Sequence, residues 1–121
     1  MSHDAYQQAA RRAQGPRETE YRAFCEATSR LLKAKDAARD DLRTRIDAIH
    51  FNRSLWGALA ADCRNNDNAL PQETRAAIVN LSDWVSRHSS SVMRAGADVE
   101  PLIEINKMMI DGLSGKSPEA A

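Results

Sequence analysis

The sequence predicts an all-α protein: an antiparallel helical bundle of four main helices plus a short N-terminal helix. Three observations carry that expectation. Apolar residues return at three- and four-residue spacing through most of the 121 residues. Gly15, Pro16, Pro71 and Gly96 stand at the boundaries of those periodic stretches. One stretch, Leu70–Ala95, carries both punctuation marks of a helix, with Pro71 at its front and Gly96 just past its end.

Taken in order, residues 4–13 (DAYQQAARRA) read as a short helix capped by Asp4 and ended by Gln14-Gly15-Pro16. A second helix starts at Pro16, with Glu18 and Glu20 in the first turn, where negative charge suits the helix dipole. Its stripe is Tyr21, Phe24, Cys25, Thr28, Leu31 and Leu32. An unbroken helix from 16 to 64 would be roughly 73 Å long at 1.5 Å per residue. A compact domain of this size has a radius of gyration near ~14 Å. A break is therefore expected around 34–41, with Asp36 or Asp40 as the next N-cap.

The third helix, about 40–64, carries Leu42, Ile46, Ile49, Trp56, Ala60 and Cys63 on one face, and Arg53 falls among them. Phe51 and Leu55 lie on the opposite side, with Ala48 and Leu59 on the flank. A helix apolar on two sides is central to a bundle or offers one side to a partner. After the polar loop 64–68 comes the 70–95 helix. Its inner stripe is Ala77, Ile78, Leu81, Trp84, Val85, His88 and Val92. Its outer side is short of charge, with Val79, Ser82, Ser86, Ser89, Ser90 and Met93. Asp98 caps the last helix, whose stripe is Leu102, Ile105, Met109 and Leu113, with Asn106 among them and Ile103 and Ile110 flanking. Residues 1–113 read as a single helical-bundle domain, and 114–121 (SGKSPEAA) as a flexible tail.

Composition narrows the function. Hydrophobic residues at 42% and charged residues at 28% give a globular balance. Lys+Arg and Asp+Glu are both 17, so no global field draws the chain to nucleic acid or an anionic membrane. Arg11, Arg12, Arg17 and Arg22 permit a small basic patch, but no aromatic platform is interleaved with them. There is no secretory leader and no membrane-length apolar run, so a cytoplasmic setting with both cysteines reduced is expected. No phosphate loop or nucleophile elbow is present. His3, His50 and His88 share no metal-ligand spacing with Cys25 or Cys63. The chain is expected to be neither an enzyme nor a holder of metal or cofactor.

Two readings stay open for the polar and aromatic residues on the inner faces. Trp56 and Trp84 are core packing or interface anchors. Arg53, His88 and Asn106 each lie in an apolar stripe of a different helix, where burial without a partner costs a few kcal/mol. They form an internal hydrogen-bonded network or the polar floor of a groove that reads a bound helix. Phe51, Leu55 and the Ser-rich outer side of the 70–95 helix either meet other helices of the chain or face a partner's helix.

Particular strings add a resemblance. AYQ at 5–7, PRETEYR at 16–22, NRSLWGALAAD at 52–62, LP at 70–71, WVSRH at 84–88 and PLIEINKMMIDGL at 101–113 keep one motif order across nearly the whole chain. Together they resemble the FlaF family of flagellar biosynthesis regulators, with the tail after Leu113 outside the pattern. The resemblance implies a small, non-enzymatic, cytoplasmic protein needed for flagellin production and filament assembly. It implies a chaperone-like partner of flagellin that promotes its synthesis or export, acting in concert with FlbT. Flagellin's terminal segments are long amphipathic helices, which an apolar groove would shield before polymerisation. Direct binding to flagellin mRNA and an adaptor role through FlbT are the alternatives. The candidate protein-binding residues are Phe51, Asn52, Arg53, Leu55, Trp56, Val79, Ser86, His88 and Asn106.

Overall fold

A computed structural model describes the backbone of residues 2–113 and the side chains of residues 18–113. Four helices follow one another: α1 (Ser2–Asp36), α2 (Leu42–Arg64), α3 (Gln72–Ala95) and α4 (Glu100–Leu113). No strand occurs among the described residues.

The helix ends follow local chemistry. The turn after α1 closes when Asp41 N–H donates to the Ala38 carbonyl. Asp41 then caps α2, its carboxylate accepting from the Thr44 backbone N–H at 3.2 Å and from the Thr44 hydroxyl at 2.8 Å. Those two bonds stabilise the carboxylate and hold it below its ordinary range. Arg75, one turn into α3, reaches back to the carbonyls of Cys63 at 2.7 Å and Asn65 at 2.9 Å. It thereby satisfies acceptors that the end of α2 leaves open. α3 begins after Pro71 without a side-chain cap and ends at Gly96, whose φ of 70° is the left-handed stop that glycine adopts without penalty. Asp98 accepts from the Glu100 N–H at 3.0 Å and opens α4.

α1 and α2 are antiparallel: Phe24 meets Trp56 edge to face at 5.3 Å, and Arg30, further along α1, lies over Phe51, earlier in α2. α2 and α3 are also antiparallel, with Arg53 level with Ser86, Trp56 with Ser82, and Cys63 with Arg75. α4 packs along α1, and Lys35–Glu100 at 2.6 Å ties the end of α1 to the start of α4. One core cluster draws on all four helices, including Phe24, Leu31, Ile49, Trp56, Leu59, Ile78, Val85, Val92, Leu102 and Ile103.

Several expectations need correction. The backbone continues through Gly15-Pro16, so in place of a short N-terminal helix and a separate second one there is a single α1. Proline's φ is itself helical, and the bond it forfeits is a single one, to the carbonyl four residues back. The break falls inside 34–41, but the N-cap is Asp41, not Asp36 or Asp40. Two inner stripes are rotated. Leu42 and Ile46 are 58% and 45% exposed, while Asn52 and Ala48 are enclosed. In α3, Ser82 and Ser89 lie in the core, and Leu81, Trp84 and His88 are only half-buried. Serine is small enough to let α2 approach, and Ser82 finds an acceptor in the Trp56 carbonyl at 3.2 Å. The expected tail, 114–121, lies outside the described residues.

Candidate functional site

The candidate residues divide into separate groups. Asn52, Trp56 and Asn106 come together in the core. Trp56 Nε1–H donates to Asn106 Oδ1 at 2.9 Å, and Asn106 Nδ2 donates to Asn52 Oδ1 at 2.7 Å. All three side chains are enclosed, so the chain of bonds locks α2 to α4 and offers no surface in this conformation. Asn52 Nδ2 is left without an acceptor.

Arg53 points to the other flank of α2. Its guanidinium donates to the Ser86 carbonyl at 2.7 Å and to Ser90 Oγ at 2.6 Å, and its Nε has no acceptor. His88 is placed elsewhere again. Its Nε2 lies 2.7 Å from the Asp98 carbonyl in the α3–α4 connection, and its ring stacks on Trp84 at 4.9 Å and 7°. Arg53, His88 and Asn106 therefore do not meet one another; each ties a different pair of segments.

Phe51 lies beneath the Arg30 guanidinium at 4.1 Å, on the α1 side of α2, and Leu55 follows one turn later on that flank. Val79 and Ser86 belong to α3, on the side that Arg53 grips. The two patches expected to make one partner surface are thus on opposite flanks of α2.

A different surface emerges from the packing. The close helix pairs are α1 with α2, α1 with α4, and α2 with α3; α3 and α4, although joined by a short turn, are not among them. The flank of α3 turned away from α2 carries Leu81, Trp84 and His88, at the spacing that keeps residues on one helix face. On α4, Leu102, Ile103 and Asn106 are enclosed, and Ile105 and Met109, about 20–100° round the helix from Asn106 and Leu102, are half-buried beside them. Leu81, Trp84, Ile105 and Met109 are all half-buried and rest against the core. Because α3 and α4 are not a close pair, we take these half-buried side chains as the two sides of a candidate furrow between them, with exposed Met108 beside Ile105 on α4. The sequence placed all four on inner stripes and left Trp84 open between core packing and an interface anchor. The signal that separates them is a phase shift: Ile78, Val85 and Val92 set the core direction of α3, and Leu81, Trp84 and His88 run along one side of it.

The two groups whose pKa burial raises, Glu20 and Cys63, lie on α1 and α2. Burial raises the Glu20 carboxyl above its ordinary range, and the nearby charge of Asp62 adds to it. Burial also raises the Cys63 thiol, again helped by Asp62. Cys25 is half-buried and His50 is exposed. What the furrow offers is apolar contact area with an aromatic anchor, a methionine thioether and little charge.

No helix among the described residues is long and apolar enough to cross a membrane. Searches of curated proteins and of solved structures return no match. The family model for the flagellar protein FlaF matches residues 2–113, which take in all four helices and both walls of the furrow. The chain belongs to the FlaF family of flagellar proteins.

Proposed function

We propose that this flagellar protein works by binding and not by catalysis, holding an amphipathic terminal helix of flagellin in the cytoplasm and promoting flagellin synthesis, export and filament assembly. The observation that carries the reading is a set of half-buried apolar side chains on α3 and α4, two helices that are not among the close pairs. If α3 and α4 leave room between them for a third helix, Leu81, Trp84, Ile105 and Met109 supply half-buried apolar side chains for it to cover. A third helix laid there by its apolar face would complete the burial of Trp84 and Met109. Methionine-walled surfaces adapt to cargo side chains of varied shape. A carrier of this kind needs affinity moderate enough to release its cargo.

Calorimetric titration of purified flagellin with this protein tests the proposal. A saturable complex of defined stoichiometry is expected, and its absence over the soluble concentration range would overturn the reading. Salt-sensitive retention of the flagellin leader RNA, without any flagellin complex, would favour the RNA-binding alternative. Capture of FlbT alone would favour the adaptor.

A further inference from the structure

Residues of both connections at one end of the bundle, the α1–α2 turn and the α3–α4 turn, line a cavity of about 560 Å³. Its enclosed lining is Ala34 at the end of α1, Val92 on α3 and Val99 just before α4. Ala95, Gly96 and Ala97 complete the α3 side. None of these six has a side chain larger than valine, so the lining leaves the space unfilled. Exposed apolar side chains lie at the same level. The pairing of Arg53 with Ser86 and of Trp56 with Ser82 fixes the antiparallel register of α2 and α3, which brings Ile46 level with Met93 and Leu42 level with Gly96.

The remaining lining residues are charged: Lys35, Arg39, Asp40, Arg45 and Asp98. Lys35 is neutralised by Glu100 at 2.6 Å, and the Asp98 carboxylate is turned to the Glu100 N–H at 3.0 Å. The guanidiniums of Arg39 and Arg45 hold no ion pair or hydrogen bond among the described residues. Two free guanidiniums thus stand against one uncommitted carboxylate, that of Asp40. Arg45 is half-buried, so an anion beside it is less screened than in open water. The guanidinium fork matches a carboxylate with two parallel hydrogen bonds.

We infer that this cavity is a docking site, separate from the α3–α4 surface, that takes a bulky apolar side chain presented by an acidic segment of a partner protein. The apolar side chain enters over Ala34, Val92 and Val99, and a neighbouring carboxylate meets Arg39 and Arg45. Leu42, Ile46 and Met93 give the rest of the segment apolar contact. A basic segment would be repelled by both guanidiniums. A nucleic acid needs a run of phosphate contacts, which two guanidiniums beside two carboxylates do not supply.

Titration of the isotope-labelled full chain with three acetylated, amidated peptides, followed by amide shifts in NMR, tests this. The sequences are EFLDE, KFLKK and ESSDE. EFLDE is expected to shift the amides of residues 34 and 95–99 saturably, and to bind at least fivefold more tightly than either control. Arg45→Gln and Arg39→Gln should each weaken EFLDE about threefold, and the Arg45 effect should shrink as salt rises. Ala95→Leu, at an exposed lining position, should block the site while the rest of the spectrum stays native. No saturable shift, shifts centred elsewhere, KFLKK binding as well as EFLDE, or indifference to both arginine substitutions would each overturn the inference. A failed flagellin titration would leave this result standing, since the peptides carry no flagellin sequence.

Discussion

The amide of Asn106 is where α2 and α4 share one chain of hydrogen bonds, accepting from the Trp56 indole and donating to Asn52. Asn106→Ala strands both neighbours in an enclosed site, at about 1–3 kcal/mol for each unsatisfied group. A loss of about 3 kcal/mol in urea denaturation is expected, with a shift in Trp56 fluorescence. Asn106→Leu should fill the space yet recover little, because the indole N–H and the Asn52 amide stay unpaired. Combining it with Asn52→Leu should recover part of the loss, since one buried amide is then removed with its partner. Glu20 makes a prediction of opposite character. Burial and Asp62 raise its folded-state pKa above the ordinary 4.5. The protonated form is thus favoured by folding, and that stability is fully present below the unfolded value and lost as pH rises through the folded one. Glu20→Gln should therefore raise the melting temperature at pH 7, and the gain should vanish as the pH drops below about 4.5. Cys63 is enclosed and its thiol is pushed upward, so native alkylation at neutral pH should label Cys25 first, with Cys63 reacting only on unfolding.

At the scale of elements, helix ends were legible because their chemistry is local. Pro71 and Gly96 bracket α3 as their φ preferences require, and an Asp caps α2, one residue beyond the expected position. The rotation of the stripes was not legible. A wheel weights Leu81 and Trp84 heavily and serine lightly, so it turns α3 toward its largest residues. Packing instead buries Ser82 and Ser89 because α2 can approach closely there. The same effect misplaced Leu42 and Ile46, which the first turns of α2 leave outside. Gly15-Pro16 misled for another reason, since a rule about average cost cannot say when a long helix absorbs one missing bond. Gly57 in mid-α2 invites a direct measurement. A Cβ there meets nothing within 4 Å, and its φ is not positive. Gly57→Ala should stabilise the fold by about 1 kcal/mol through helix propensity alone, read as a higher urea midpoint with an unchanged slope. If it weakens flagellin binding instead, the outer face of α2 is in contact with the cargo.

For the whole molecule, the proposed furrow competes with two other surfaces that the chain exposes. One is the Phe51 and Leu55 flank, which the sequence favoured and which α1 already covers in part through Arg30. The other is the apolar set Leu42, Ile46 and Met93 near the start of α2 and the end of α3. Buried aromatic anchors dominate helix-in-groove interfaces, so Trp84 should carry more of the binding than any residue on those rival patches. Trp84→Ala keeps the enclosed core of Phe24, Trp56, Leu102 and Ile103 intact, since Trp84 is half-buried and outside that set. It should weaken flagellin binding at least tenfold by calorimetry, with Met109→Ala giving a smaller loss of the same sign. Met93→Ser and Phe51→Ala should leave affinity within about twofold, because a residue outside the contact changes little. The melting temperature of each variant separates lost contact from lost fold. A tenfold loss in Phe51→Ala with none in Trp84→Ala would move the site to the α1–α2 flank. A loss confined to Met93→Ser would move it to the end where α2 starts and α3 stops, beside the cavity lined by Ala34, Arg45, Val92 and Gly96.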